Sequence, residues 1–174
     1  MISNNHSVKA LVLAAGKGVR MKSDLPKVLH RLADKPLVLH VLENLKAAGI
    51  ADVIAVVGYR GEMVRETVGA LAEIVWQTEQ LGTGHAVMQA ENALKGFDGG
   101  VVVACGDVPL MKPETFREAI NEGRRENVRA VVVTMRLDKP FGYGRIIRDE
   151  HGNIARIVEE KDASDEEKEI NEVN

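Results

Sequence analysis

One cysteine, Cys105, occurs in the 174 residues, so no disulfide can close within the chain, and a reducing compartment suits it. No apolar run approaches the roughly 18 to 20 residues of a membrane-spanning helix. Met1 to Ser7 has no apolar stretch of the kind a secretory leader carries; residues 1–7 are expected to be a flexible N-terminus and the protein cytoplasmic. Positive charge is not in excess either. The net charge of −3 gives no support for nucleic acid as a partner. Internal repeats and linker-like stretches are also missing, so residues 8–174 are expected to form one domain, with 45% hydrophobic residues to build its core.

What is present is an alternation. Val8–Leu13, Val53–Val57, Ile74–Trp76, Val101–Cys105 and Ala130–Met135 read as strands, several of them continuously apolar, as strands buried on both faces are. Between them Leu37–Ala48, Gly61–Leu71, Gly84–Leu94 and Pro113–Arg125 carry helical spacing. In the first, Leu37, Val41, Leu42 and Leu45 are expected to share a stripe, with Gly49 as the stop. Pro113 suits a helix start, where its missing N–H is not needed. The pattern predicts an α/β fold of Rossmann-like type: an open, mostly parallel sheet flanked by helices. Beyond Leu137 it changes. Arg145–Arg148 and Ile154–Val158 flank a turn-rich segment and predict a small β-hairpin, and Asp165–Glu169 a short solvated helix. Cys105 closes an apolar run and is expected to be a buried structural thiol.

The first strand runs into Leu13-Ala-Ala-Gly16-Lys-Gly18-Val-Arg20-Met21, with Leu25-Pro26-Lys27 shortly after. Glycines there let successive amide N–H groups face one anion, and Arg20 and Lys27 add positive charge, a combination suited to a polyphosphate. The loop is neither of the two commonest phosphate loops. A dinucleotide fingerprint needs glycine where Met21 stands, and a P-loop needs Ser or Thr after Gly16-Lys17. Glycine also occurs at ordinary strand-to-helix turns, so the loop by itself leaves both readings open.

Three further stretches carry chemistry. Asp107, on the Gly106 turn after a buried strand, suits Mg²⁺ bridging phosphate oxygens, since that ion often takes only one or two protein carboxylates. The alternative is a cap for the next helix, which Pro109 and the delay to Pro113 disfavour. Gln77 can donate to and accept from a pyrimidine edge, and Gly82-Thr83 at a helix start suits phosphate or a base edge, though Thr83 also reads as a plain cap and His85 as structural. Gly142-Tyr143-Gly144 allows close approach of a sugar-like ligand, and Glu159 and Asn174 can hydrogen-bond hydroxyls; a surface turn and a solvated charge run are the plainer readings.

These motifs occur in order: the opening loop, Gln80-Leu-Gly-Thr-Gly-His-Ala86, Gly106-Asp-Val-Pro-Leu110, Gly142-Tyr-Gly-Arg-Ile146, Val158-Glu-Glu-Lys-Asp-Ala163 and Ile170-Asn-Glu-Val-Asn174. From Val8 to Asn174 the chain resembles the sugar-phosphate nucleotidyltransferases, and more narrowly the uridylyltransferase domains of bacterial bifunctional enzymes that make UDP-N-acetylglucosamine. The resemblance implies Mg²⁺-dependent transfer of UMP from UTP to N-acetylglucosamine 1-phosphate, releasing pyrophosphate. By that likeness the backbone of Leu13, Ala14, Ala15 and Gly16 holds the uridine nucleotide together with Gln77, Gly82 and Thr83. Arg20 and Lys27 neutralise the phosphates, Asp107 binds the metal, and Gly144, Glu159 and Asn174 contact the sugar.

Three departures qualify this. Val19 stands where the family usually has Thr. The family's domain continues past the position of Asn174, where an Asn supplies a second metal ligand, so a truncated domain is expected. No hexapeptide repeat of a trimerising acetyltransferase half appears, so acetyl transfer is not expected, and the chain should be a monomer or weak oligomer. The rival readings are a non-catalytic nucleotide-binding fragment and a transferase for another nucleotide or sugar phosphate.

Overall fold

The structure, a computed structural model, describes residues 7–18 and 21–174. The chain divides into two compact units, the first ending at Arg124 and the second running Arg125–Asn174. In chain order the first contains β1 (Val8–Ala14), the short pair β2 (Arg31–Leu32) and β3 (Lys35–Pro36), α1 (Leu37–Ala47), β4 (Asp52–Val57), α2 (Gly61–Val68), β5 (Glu73–Trp76), α3 (Thr83–Met88), β6 (Gly100–Cys105) and α4 (Pro113–Gly123).

The long strands form one parallel sheet in the order β5-β4-β1-β6, as the alternation predicts. β1 is its hub, with Leu11 opposite Ile54 on one side and Val103 on the other. Side chains alternate between faces along each strand, and both faces are covered. On one, Ala10, Val12, Ala14, Val53 and Val57 meet α1, α2 and α4 through Val41, Leu45, Val64, Val68 and Phe116. On the other, Leu11, Ile54 and Val56 meet Ala86 and Ala90. No described helix is long and apolar enough to cross a membrane.

Several expectations need correction. The buried stripe of α1 is Val38, Val41, Leu42 and Leu45, with Leu37 only half-buried. Residues 38, 41, 42 and 45 follow i, i+3, i+4, i+7, whereas position 37 is rotated by about 100° from 38. α3 ends at Met88, six residues before the expected Leu94, and turns continue the chain. α4 stops at Gly123. β6 is an edge strand of its sheet; Val101, Val103 and Cys105 are exposed on one face, so this strand is not buried on both. Cys105 is therefore a surface thiol. Partial desolvation, then Asp107, push its pKa up, with Lys27 opposing, which leaves it a poor nucleophile at neutral pH.

The second unit contains β7 (Met135–Arg136), β8 (Arg145–Arg148), β9 (Ile154–Val158), α5 (Asp165–Lys168) and β10 (Glu172–Val173), with the sheet order β7-β10-β8-β9, all antiparallel. The β8–β9 hairpin and the short helix stand where expected, the helix closed by a capping box between Ser164 and Glu167. The strand expected over Ala130–Met135 does not form. Only Met135 and Arg136 pair, and Val131, Val132 and Val133 stay exposed. A β-branched run becomes a strand only where a ladder partner is available, and β10 offers two residues.

Leu45 is fully buried between α1 and the sheet. Leu45→Ala is expected to destabilise the first unit by about 2–5 kcal/mol, read as a lower urea midpoint at an unchanged slope.

Candidate functional site

The carboxyl ends of four parallel strands set the site. The chain proceeds from β1 outward through β4 and β5, then returns to place β6 on the other side of β1. The order reverses at β1/β6, so the loops after these two strands diverge and leave a crevice between them. The glycine-rich loop leaves β1 and the Gly106-Asp107 turn leaves β6, so the sequence places its two strongest motifs on the crevice's two walls.

Across it the Lys27 ammonium contacts the Asp107 carboxylate. Lys27 begins a 3-10 turn over Lys27–Leu29, whose Val28 and Leu29 are anchored in the core. On the other wall the Asn44 side chain donates to the Pro109 carbonyl at 3.0 Å, tying the Asp107 loop to α1. Asp107 does not cap α4: the residue in that position is Lys112. Of the two readings open for this carboxylate, the capping one is thereby removed.

Gly18 has φ +65, and a Cβ there would lie 2.7 Å from Lys27 Cβ. The glycine thus provides a left-handed turn and room for Lys27 to pass behind it. Among the described residues none accepts a hydrogen bond from the amide N–H of Gly16, Lys17 or Gly18, whereas the Ala15 and Leu13 carbonyls are taken by the amides of Tyr59 and Gly106. The loop therefore offers donors, as an anion site must. Leu13 is half-buried, Ala14 and Ala15 are buried and Gly16 is exposed. Arg20, expected beside them, lies outside the described residues, as does Val19.

After β5, Gln77 is buried at 3% exposure. Its Nε2 donates to the Gly82 carbonyl at 3.2 Å and lies 3.0 Å from His85 Nδ1. The carboxamide nitrogen is thus engaged inside its own loop. His85, read from sequence as merely structural, lies between the Gln77 and Gln89 carboxamides and so fixes the orientation of Gln77. Thr83 is exposed and is the first residue of α3; Gly82, at φ +106, occupies the cap position with no side-chain cap bond. The plain-cap reading of Thr83 therefore fails.

In the second unit three expected residues come together. Arg145 pairs with Val158 on one side and Val173 on the other, so the neighbouring Gly144, Glu159 and Asn174 gather at one end of β8, β9 and β10. The Asn174 amide donates to the Gly144 carbonyl at 3.4 Å. A Cβ on Gly144 would fall 2.5 Å from Asn174 Oδ1. Arg145 and its partner Glu160 hold this end, while Arg148, at the other end of β8, pairs with Glu172; sequence reading gave none of the four a role. The signal for Arg145 and Glu160 was adjacency: each directly follows an expected sugar contact, Gly144 and Glu159.

The model of the MobA-like NTP transferase domain family matches residues 10–163. The chain belongs to that family. Similar curated relatives are the bifunctional protein GlmU of Syntrophomonas wolfei subsp. wolfei, 48% identical over 96% of this chain and 37% of that protein. GlmU of Carboxydothermus hydrogenoformans is 51% identical over 96% of this chain and 37% of its own length. The chain thus spans a little over a third of the curated relatives it matches. Among solved structures, a UDP-glucose pyrophosphorylase complexed with UDP-glucose superimposes with a TM-score of 0.73 over 96% of this chain and 73% of that one, at 21% identity. A nucleotidyl transferase from Methanothermobacter gives 0.59 over 80% of this chain and 64% of that one, at 24% identity. Both show the nucleotidyltransferase fold.

The Glu172 carboxylate accepts from Arg148 at 2.6 and 2.9 Å and from Thr134 at 2.8 Å, which lowers its pKa to about 2. A depressed carboxylate contributes stability that is fully present above its ordinary pKa of 4.5 and is lost as pH falls from there through about 2. Carboxyl NMR shifts are expected to titrate near 2 for Glu172 in the wild type and to move up toward the ordinary carboxylate range in Arg148→Met.

Proposed function

We propose that this chain is a uridylyltransferase domain that transfers UMP from UTP to N-acetylglucosamine 1-phosphate and releases pyrophosphate. The observation that carries the reading is the pairing of a donor-rich glycine loop with Lys27 and Asp107 across the β1/β6 crevice. The motif order shared with sugar-phosphate nucleotidyltransferases and the identity to the GlmU relatives support it.

In this reading the amides of Gly16 to Gly18 and the backbone of Leu13, Ala14 and Ala15 bind the nucleotide. Lys27 and Arg20 offset the phosphate charge. The Gln77 oxygen accepts the N3–H of uracil, a donor that cytosine lacks, and Gly82-Thr83 completes that end. A phosphate oxygen of the sugar 1-phosphate attacks the α-phosphorus of UTP; the bond from that phosphorus to the bridging oxygen breaks, and pyrophosphate carries the electron pair away. Such transfers ask mainly for alignment and charge neutralisation. Gly144, Glu159 and Asn174 orient the sugar.

The metal fits the donor set. Asp107 presents a partly exposed carboxylate at the crevice, faced by the Lys27 ammonium. That is the provision expected for Mg²⁺, which takes one or two carboxylates and fills the rest of its shell with water and phosphate oxygens. Bound there, it would supply further charge neutralisation on the phosphates.

Pyrophosphate release is expected with UTP, Mg²⁺ and N-acetylglucosamine 1-phosphate, with UTP preferred over CTP, and a drop of about a hundredfold or more in Asp107→Ala. Equal rates in the two would remove Asp107 from the mechanism. Calorimetric UTP binding without any product would favour a non-catalytic nucleotide-binding role. Gly18→Ala is expected to weaken UTP binding about tenfold, because the new methyl displaces Lys27.

A further inference from the structure

We infer that Arg145 and Glu160 act together as positioning residues for the sugar subsite, setting the shape of the Gly142–Gly144 turn. The inference rests on the assignment of Gly144, Glu159 and Asn174 to the sugar.

Arg145 is 2% exposed. A guanidinium is removed from water to that degree only where several acceptors replace the lost solvation. Here three directions of the fork are used. Nη2 donates to Glu160 Oε2 at 2.8 Å, Nη1 donates to the Tyr143 carbonyl, and Nε reaches the Lys168 carbonyl at 3.4 Å. The same Glu160 oxygen accepts the Gly142 amide at 2.9 Å. That amide, followed by Arg145, lowers the Glu160 pKa, so the carboxylate stays ionised and in place through the neutral range.

One carboxylate oxygen therefore fastens the start of the turn, at Gly142, to the guanidinium that follows it. Gly142 has φ +82, a left-handed conformation that a free loop would leave readily. Between the fastened points lies Gly144, with no room for a Cβ against Asn174. Arg145 is also the residue whose backbone pairs with both Val158 and Val173, directly before Glu159 and Asn174. Displacing it moves all three sugar contacts at once. Lysine cannot replace it, because a single ammonium lacks the planar fork.

The test compares affinities for UDP-N-acetylglucosamine and UDP by calorimetry on the full chain in Arg145→Met, Arg145→Lys, Glu160→Gln and the double variant. The ratio reads the sugar contacts alone. Wild type is expected to bind the UDP-sugar at least tenfold more tightly than UDP. Each variant should lose most of that gain while UDP affinity stays within about twofold, and the double variant should lose no more than either single one. Glu160→Gln, the mildest change, keeps the test open where an Arg145 variant fails to fold. Retention of the full gain in a folded Glu160→Gln or Arg145→Lys overturns the inference. An equal fall in both affinities assigns the pair to stability alone and overturns it too. Absence of any gain in the wild type overturns instead the reading of the sugar site.

Discussion

Pairing of β1 along both of its edges is the constraint on which the first unit depends. Parallel ladders on each side bury every second residue on opposite faces, and the ladders need Ala10, Val12 and Leu11 to be apolar whichever way they point. Because the neighbours β4 and β6 belong to opposite directions of chain travel, the loop leaving β1 has no choice but to border a crevice. The glycine loop, Lys27 and Asp107 are consequences of that placement. Their common location follows from strand order, not from nearness in sequence.

Charge is arranged differently in the two units. At the crevice a cation and a carboxylate, both part-exposed, face each other where water still reaches them. Such a pair contributes little to stability and is readily exchanged for other partners. In the second unit Arg145 is buried and its acceptors are fixed, so exchange is costly. The first arrangement suits residues that must let go; the second suits residues that must not.

Much of this was legible from residues alone, for identifiable reasons. Val53–Val57 could be read because a continuous apolar run buried on both faces has few other solutions. The β8–β9 hairpin could be read because Asp149 to Asn153 supplies turn chemistry between two periodic segments, and Asp149 does accept from the His151 and Asn153 amides. Ala130–Met135 carries the same β-branched signal as Val53–Val57, yet it fails, since composition states a preference and not the presence of a partner strand. The site was legible where motifs lie on loops of fixed position, as with Lys27, Gln77 and Asp107. The roles of His85, Arg145 and Glu160 were not legible because they come from side-chain contacts, and a lone His or Arg in sequence has no visible partner.

The edge position of β6 has a consequence for handling the molecule. Val101, Val103 and Cys105 present an uncharged apolar row on a strand whose outer side has no ladder partner among the described residues. Natural sheets usually guard such a border with lysine, proline or a bulge, and Gly100–Cys105 has none of the three. Concentrated solutions of this chain should therefore be prone to self-association by strand addition along that border, with concentration and not heat as the first trigger.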